Sequence, residues 1–181
     1  MPVYSYRGVL PRISRSAFVH PDAVVIGDVT IGALASLWPA AVLRGDHGRI
    51  VVGERTSVQD GTVVHTTEQW PTEIGAGCVI GHNAHLEGCV VEDACLIGST
   101  STVLNRAHVG TGSVVAAAAL VTEGLRVPSS SVVVGVPGRV RPIEGAGYDD
   151  RIARAAAIYV ENARRYRESM AMVDLTDCLT D

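Results

Sequence analysis

The amino-acid sequence predicts a mainly β protein: a parallel β-helix built from six-residue repeats, with a C-terminal α-helix packed along it. Three observations favour this fold class. Aliphatic residues recur every six positions, small residues stand two positions before them, and apolar residues near the C-terminus change to three- and four-residue spacing. The chain of 181 residues is long enough for one domain with a sizeable core.

The six-residue repeat is clearest in the second half of the chain. Its aliphatic positions there are Val91, Ile97, Val103, Val109, Val115, Val121, Val127 and Val133. The same step extends back to Val19, with three residues inserted after Leu43, four inserted after Val64 and one missing between Leu86 and Val91. An inward aliphatic residue, a glycine or polar residue after it and a small turn residue are typical of a parallel β-helix, in which three repeats complete one triangular coil. Residues one coil apart then stack about 4.8 Å apart.

The repeat and its end divide the chain into five segments. We expect an N-terminal segment over residues 1–18, the β-helix over 19–141, a linker over 142–149, a helix over 150–172 and a mobile tail over 173–181. The two prolines of "GVPGRVRP" end the repeat, because proline cannot continue a hydrogen-bonded ladder. The apolar stripe of the predicted helix comprises Ile152, Ala155, Ala156, Tyr159, Val160, Ala163 and Tyr166.

Composition and charge narrow the functional classes. The net charge is −4 and the basic residues are scattered, so the sequence lacks the basic stripe of a nucleic-acid binder. The longest apolar run, "VVAAAALV", is far shorter than the roughly 20 residues of a membrane helix. We therefore expect a cytoplasmic protein without a membrane or nucleic-acid partner. Of the four cysteines, Cys78, Cys89 and Cys95 stand at small turn positions and are interpreted as structural.

Counting coils places a set of polar residues on one outer face. Arg44, His65 and Glu87 each follow an inward aliphatic residue and fall in one column when the insertion after Val64 is allowed for. Further residues near that edge are Asp46, Gln59, Asp60, His82 and His85. A guanidinium, imidazoles and carboxylates on one flat face indicate a metal or small-anion site.

The stretches "LWPAAVLRGDHGRIVVGERTSVQDGTVVH" and "IGHNAHLEGC" resemble the γ-class carbonic anhydrases and their close relatives, over roughly Val19 to Arg141. These motifs are more specific than the repeat itself, which acyltransferases share. The resemblance implies a left-handed β-helix and a homotrimer with active sites at subunit interfaces. It also implies a bound Zn²⁺, or Fe²⁺ or Co²⁺ in its place.

The resemblance also assigns metal ligands. By position, His65 matches the first ligand and His82 the one donated across the subunit interface, whereas Glu87 stands where the family has a third histidine. A carboxylate can still complete a His₂Glu zinc site. His85 is the alternative third ligand, and a chain that binds no metal is the remaining interpretation.

The same resemblance gives roles to the residues around the metal. Gln59 positions the attacking water, and Arg44 and Asp46 form an ion pair that shapes the site. Tyr159 matches an aromatic residue near the metal, although a place in the helix stripe explains it equally well.

The leading hypothesis is therefore a carbonic anhydrase-like zinc lyase that activates water for addition to carbon dioxide, forming bicarbonate, or to a small carbonyl compound. Glu87 should weaken carbon dioxide hydration, because a carboxylate ligand makes the metal less able to acidify bound water. One alternative is a divergent metal-dependent hydrolase or lyase with Glu87 as general base. A second is a non-catalytic trimeric binding or assembly protein. An acyltransferase ranks below these, because the closely matched motifs lie outside the usual pattern of that group.

Overall fold

The computed structural model describes residues 2–143 and 148–179. Its strands are β1 (Val3–Tyr4), β2 (Arg12–Ile13), β3 (Phe18–Val19), β4 (Val24–Ile31), β5 (Ser36–Leu37), β6 (Val42–Val52), β7 (Ser57–Val58), β8 (Val63–His65), β9 (Thr72–Ile74), β10 (Val79–Ile80), β11 (His85–Glu87), β12 (Val90–Val91), β13 (Leu96–Ile97), β14 (Thr102–Val103), β15 (His108–Val109), β16 (Val114–Val115), β17 (Leu120–Val121), β18 (Arg126–Val127), β19 (Ser131–Val134) and β20 (Arg139–Pro142). Helix α1 (Tyr148–Ser169) and a short 3₁₀ helix (Leu175–Cys178) follow.

These strands form a left-handed parallel β-helix of about seven coils, which confirms the predicted fold class. Face 1 consists of β3, β5, β7, β10, β13, β16 and β19, with β20 added antiparallel at its end. The long strands β4 and β6 bend from one face to the next. Their first halves begin face 2, which continues through β8, β11, β14 and β17, and their second halves begin face 3, which continues through β9, β12, β15 and β18.

The core is a stack of aliphatic side chains from the three faces. On face 2 it includes Val25, Leu43, Val64, Leu86, Val103 and Val121, which are paired in register on successive strands and are all fully buried. Burying such a side chain contributes about 1.5–3 kcal/mol, so each coil adds to stability through the layer below it. The small residues fill the corners, and the three cysteines at those positions are buried and unpaired, as predicted.

Several segment boundaries differ from those expected from the sequence. The N-terminal residues form a first coil, because β1 and β2 pair with β4 and β3 pairs with β5. At the other end β19 and β20 form an antiparallel hairpin instead of a further coil. Helix α1 begins and ends earlier than the expected range 150–172. Within the expected linker, residues 144–147 lie outside the described residues.

Helix α1 covers face 1 along the whole stack. Its 22 residues span about 33 Å, which matches the height of the coils that it crosses. Ile152, Ala156 and Ala163 are buried, and near the first coils Ala163 packs with Phe18 and Trp38. None of the helices in the described ranges combines the length and apolarity that crossing a bilayer requires.

The corners of the β-helix need a left-handed backbone. Non-glycine residues with φ between 53° and 61° recur at the turns, including Leu34, Arg55, Ala94 and Ala118. A side chain in this region costs roughly 1–2 kcal/mol because its Cβ approaches the following carbonyl oxygen. The corners are therefore strained wherever they lack glycine.

We predict that Ala118→Gly stabilises the protein, because glycine removes the strain at φ 58°. Part of this gain is offset by the extra unfolded-state entropy of glycine, about 0.5–1 kcal/mol, so the net gain in the free energy of unfolding should be at most about 1.5 kcal/mol. The neighbouring exposed Ala117 is not left-handed, so Ala117→Gly should destabilise by the entropic cost alone. Urea unfolding of both variants checks the opposite signs, and equal effects would contradict the strain argument.

Candidate active site

A first polar cluster lies on face 2, around His65. The strands carrying Arg44, His65 and Glu87 pair at one register, so these side chains project from neighbouring strands. The His65 ring lies between two carboxylates, with Nδ1 3.1 Å from Glu87 Oε1 and Nε2 3.0 Å from Asp46 Oδ1. An ionised carboxylate only accepts hydrogen bonds, so both contacts are hydrogen bonds only when both ring nitrogens carry a proton. His65 therefore has no nitrogen free to meet a substrate.

Contacts with neighbouring side chains hold the first cluster in place. Thr72 donates its hydroxyl to the His65 carbonyl and accepts the Gly88 amide at 2.8 Å, which ties the insertion after β8 to the corner after β11. His47 stacks edge-on against His65, with ring centroids 5.7 Å apart. His85 Nε2 lies 3.4 Å from Glu87 Oε2, so Glu87 contacts two imidazoles.

Asp46 is the electrostatic centre of the first cluster. Burial acts to raise the pKa of its carboxyl, but hydrogen bonds from His65 and Arg44 outweigh burial and hold that pKa below the ordinary value of 3.8. The Arg44–Asp46 ion pair expected from the sequence is present. Because Asp46 is largely buried, with its side chain 16% exposed, these contacts are only partly screened by solvent.

A second cluster occupies the corner between faces 1 and 2. His82 Nδ1 lies 2.9 Å from Asp60 Oδ2, on the turn one coil earlier. The side chains of both residues are about half exposed, at 48% and 47%. Among the described residues His82 Nε2 has no hydrogen-bond partner, so one face of this imidazole is open to solvent. A carboxylate behind an imidazole with a free nitrogen is the arrangement of a general base.

The stacking of two turns sets the geometry of this pair. Gly61 follows Asp60 with φ +69°, and a Cβ on it would lie 2.2 Å from the Asn83 side-chain oxygen. The backbone amide of Asn83 donates a hydrogen bond to the backbone carbonyl of Asp60 at 2.8 Å. Glycine at 61 therefore avoids both backbone strain and a clash with the Asn83 side chain where Asp60 reaches His82.

Helix α1 contributes Tyr159 to the second cluster. Its ring packs against Trp38, with centroids 5.6 Å apart. Burial raises the pKa of Tyr159, the negative charge of Asp60 raises it further, and a hydrogen bond with the Gln59 side chain opposes both. Gln59 itself is buried, whereas the Asp60 side chain is about half exposed. Tyr159 is both a part of the helix stripe and a neighbour of the polar cluster.

The structure divides the residues that the sequence grouped as one site. Arg44, Asp46, His65, Glu87 and His85 belong to the first cluster, whereas His82, Gln59 and Tyr159 belong to the second. The role of Asp60 was missed, although it lies 22 residues before His82, the same offset that relates His65 to Glu87. That shared offset was the available signal.

The fold and the site define a class of protein: a left-handed parallel β-helix with histidine–carboxylate pairs on its outer surface. In sequence, the chain is 39% identical over 139 residues to the carnitine operon protein CaiE of Escherichia coli strain K12, covering 77% of this chain and 71% of that protein. The chain belongs to the hexapeptide-repeat family of left-handed β-helix proteins, together with CaiE. No protein-family model matches it.

Two solved structures of similar proteins extend this comparison. The hexapeptide transferase family protein from Anaplasma phagocytophilum aligns with a TM-score of 0.88 at 37% identity, covering 91% of this chain and 98% of that one. A Bacillus cereus protein that is assigned, without demonstration, as an acetyltransferase aligns with a TM-score of 0.90 at 31% identity, covering 92% and 96%. AntD, an N-acyltransferase from Bacillus cereus solved with dTDP and coenzyme A, has a TM-score of 0.59 at 17% identity and shows the shared fold alone.

The hypothesis of a carbonic anhydrase-like zinc lyase is wrong. The similar proteins are CaiE and proteins named as hexapeptide transferases or acetyltransferases. Within residues 2–143 and 148–179, no three His, Cys, Asp or Glu side chains are arranged to hold a metal ion. The physical reason is that both ring nitrogens of His65 already contact carboxylates, which leaves this histidine no free nitrogen for a metal ion. The predictions of Zn²⁺, Fe²⁺ or Co²⁺ as cofactor and of carbon dioxide as substrate are therefore also wrong. So is the low rank that the sequence analysis gave to an acyltransferase.

We predict that the stabilising contribution of Asp46 is lost in acid. A carboxyl whose pKa is lowered by folding stabilises the folded state above its unfolded pKa of about 3.8 and loses that effect as pH falls through the folded pKa. Asp46→Asn should cost about 2 kcal/mol near pH 7, since hydrogen bonds to charged groups contribute roughly 1.5–3 kcal/mol. Urea unfolding should show this difference shrinking below about pH 4. A difference that stays constant down to pH 3 would refute the charge-based explanation.

Proposed function

We propose that the protein is an acyltransferase that moves an acyl group from a thioester donor to an amine or hydroxyl acceptor. The observation that carries this proposal is the His82–Asp60 pair, with Nδ1 held by a carboxylate at 2.9 Å and Nε2 open. The transferase names of the two similar structures support the same class of reaction. An acceptor amine or hydroxyl needs such a base, because its proton must leave as it attacks a carbonyl carbon.

The reaction follows from this geometry. His82 Nε2 removes the proton from the acceptor nitrogen or oxygen, which forms a bond to the acyl carbon. The tetrahedral intermediate then collapses, the carbon–sulfur bond breaks, and the proton on His82 passes to the departing thiolate. Asp60 holds the imidazole in the tautomer that leaves Nε2 unprotonated and stabilises the imidazolium that forms.

We assign the remaining site residues positioning roles. Gln59 precedes Asp60 in the chain and the charge of Asp60 acts on Tyr159, so both belong to the surroundings of the proposed base. The first cluster forms a charged surface whose side chains are held in place, because Asp46 and Glu87 both contact His65. Its function in this proposal is to orient substrate, with Arg44 and His85 providing hydrogen-bond donors.

We also propose that the protein is a homotrimer. Helix α1 covers face 1, whereas faces 2 and 3 have no covering element among the described residues. Face 2 presents partly exposed apolar residues, including Val63 at 36% exposure and the half-buried Leu104 and Leu120. Three solenoids packed side by side would bury such surfaces with closed symmetry. Measurement of the mass in solution tests this assembly.

The catalytic proposal is tested by incubating the protein with acetyl-coenzyme A and a panel of small amines and alcohols, and measuring release of the free thiol. His82→Asn and Asp60→Asn should each lower kcat by at least about 100-fold, the usual contribution of a general base. His108→Asn is the matched control, because His108 also pairs with a carboxylate, Glu92 at 2.7 Å, but on face 3. Absence of transfer in the native protein, or equal activity in His82→Asn, would count against the proposal.

A separate prediction distinguishes the two clusters. His65→Asn should raise KM for one substrate by about tenfold and leave kcat within a few-fold, because His65 has no free nitrogen for proton transfer. Steady-state kinetics measures both constants. A large fall in kcat with unchanged KM would instead make His65 the base.

A further inference from the structure

The first coil forms an exposed, basic and apolar end of the β-helix. Strands β1, β2 and β3 each pair with a later strand on one side, and their other edges are unpaired among the described residues. Large apolar side chains on this coil are exposed: Val3, Tyr4, Tyr6, Val9 and Leu10, the last at 67%. Residues 1–19 contain Arg7, Arg12 and Arg15 and no acidic residue.

The C-terminal tail has the complementary character and leaves the molecule at the same end. Arg167, in the last turn of α1, donates a hydrogen bond to the Ala17 carbonyl at 2.6 Å, which places the end of the helix beside the first coil. The tail that follows exposes its apolar side chains: Met172 at 100%, Val173 at 63%, Leu175 at 73% and Leu179 at 70%. Residues 170–181 contain three aspartates and no basic residue.

We propose that the tail of one copy docks on the first coil of a second copy, so that two copies meet end to end and exchange their tails. The basic, apolar coil and the acidic, apolar tail match in both charge and hydropathy, and each lacks a covering partner within the described part of its own chain. The contact would also cover the unpaired strand edges, which are otherwise open to non-specific pairing.

The position of the tail favours a second copy as its partner. The exposure of Met172, Val173 and Leu175 shows that the tail does not lie against its own coil. Because the tail leaves the molecule beside the first coil, it can reach a second copy that lies against that end of the β-helix. Two copies related by a two-fold axis there would each receive the other's tail, which is a closed, self-complementary interface. The same axis is compatible with a trimer, because its three first coils face one direction.

The solution mass tests this interface. Truncation after Met170 should halve the mass of the assembly measured by light scattering, whatever the smaller unit is. Reversing the charges of the first coil with Arg7→Glu and Arg15→Glu should also halve the mass of the assembly. Adding Asp174→Arg and Asp177→Arg to that variant should restore the larger mass. Ile158→Ser is the control, because Ile158 is also exposed, at 58%, but lies in the middle of α1; its mass should equal that of the native chain. An unchanged mass on truncation would overturn the proposal.

Cross-linking identifies the partner. Cys178 is the exposed cysteine of the tail, whereas Cys78, Cys89 and Cys95 are buried. A chain carrying Leu10→Cys and Cys178→Ser is mixed with the native chain and treated with diamide, which oxidises two thiols to a disulfide and is itself reduced to the hydrazine. We expect a disulfide-linked pair on a non-reducing gel, and none when Ile158→Cys replaces Leu10→Cys. In the mixture, absence of the linked pair would overturn the proposal. A second variant carries Leu10→Cys and keeps Cys178. If its disulfide forms only within one chain, the tail binds the first coil of its own chain and the exchange between copies is wrong.

Discussion

The register of the parallel strands is the constraint on which the rest of the structure depends. Each coil places its aliphatic residues directly above those of the coil below, and the inward aliphatic side chains on face 2 from Leu43 to Val121 are fully buried. A slip of one residue would turn every inward side chain outward. The same register places His65 beside Glu87 and His82 above Asp60, so the polar clusters are consequences of core packing.

The two histidines show how neighbours decide what a side chain can do. His65 has a carboxylate at each ring nitrogen, so its position is fixed and its nitrogens are engaged. His82 has a carboxylate at Nδ1 alone. Both stand on the same scaffold, yet only His82 has the free nitrogen that proton transfer requires. The difference arises because Asp46 belongs to the long bent strand β6, which brings a second carboxylate to His65.

The resemblance to the γ-class carbonic anhydrases predicted the scaffold correctly and the chemistry wrongly. A repeat that places imidazoles and carboxylates on an outer face supports several reactions, because function depends on the site and not on the fold. Glu87 stood where the resemblance called for a histidine, and in the structure it accepts from His65 and approaches His85. The carboxylate at position 87 was therefore the available sign against the expected metal site.

The sequence by itself determined the β-helix, the buried cysteines and the column of Arg44, His65 and Glu87, because an interval of six residues is a local property that fixes which side chains point inward. Only the tertiary structure decided the division into two clusters, the contact of Tyr159 with Trp38, and the meeting of tail and first coil at one end. These depend on strand bending, on insertions between coils and on the direction in which α1 crosses face 1. Such long-range geometry leaves no regular spacing along the chain.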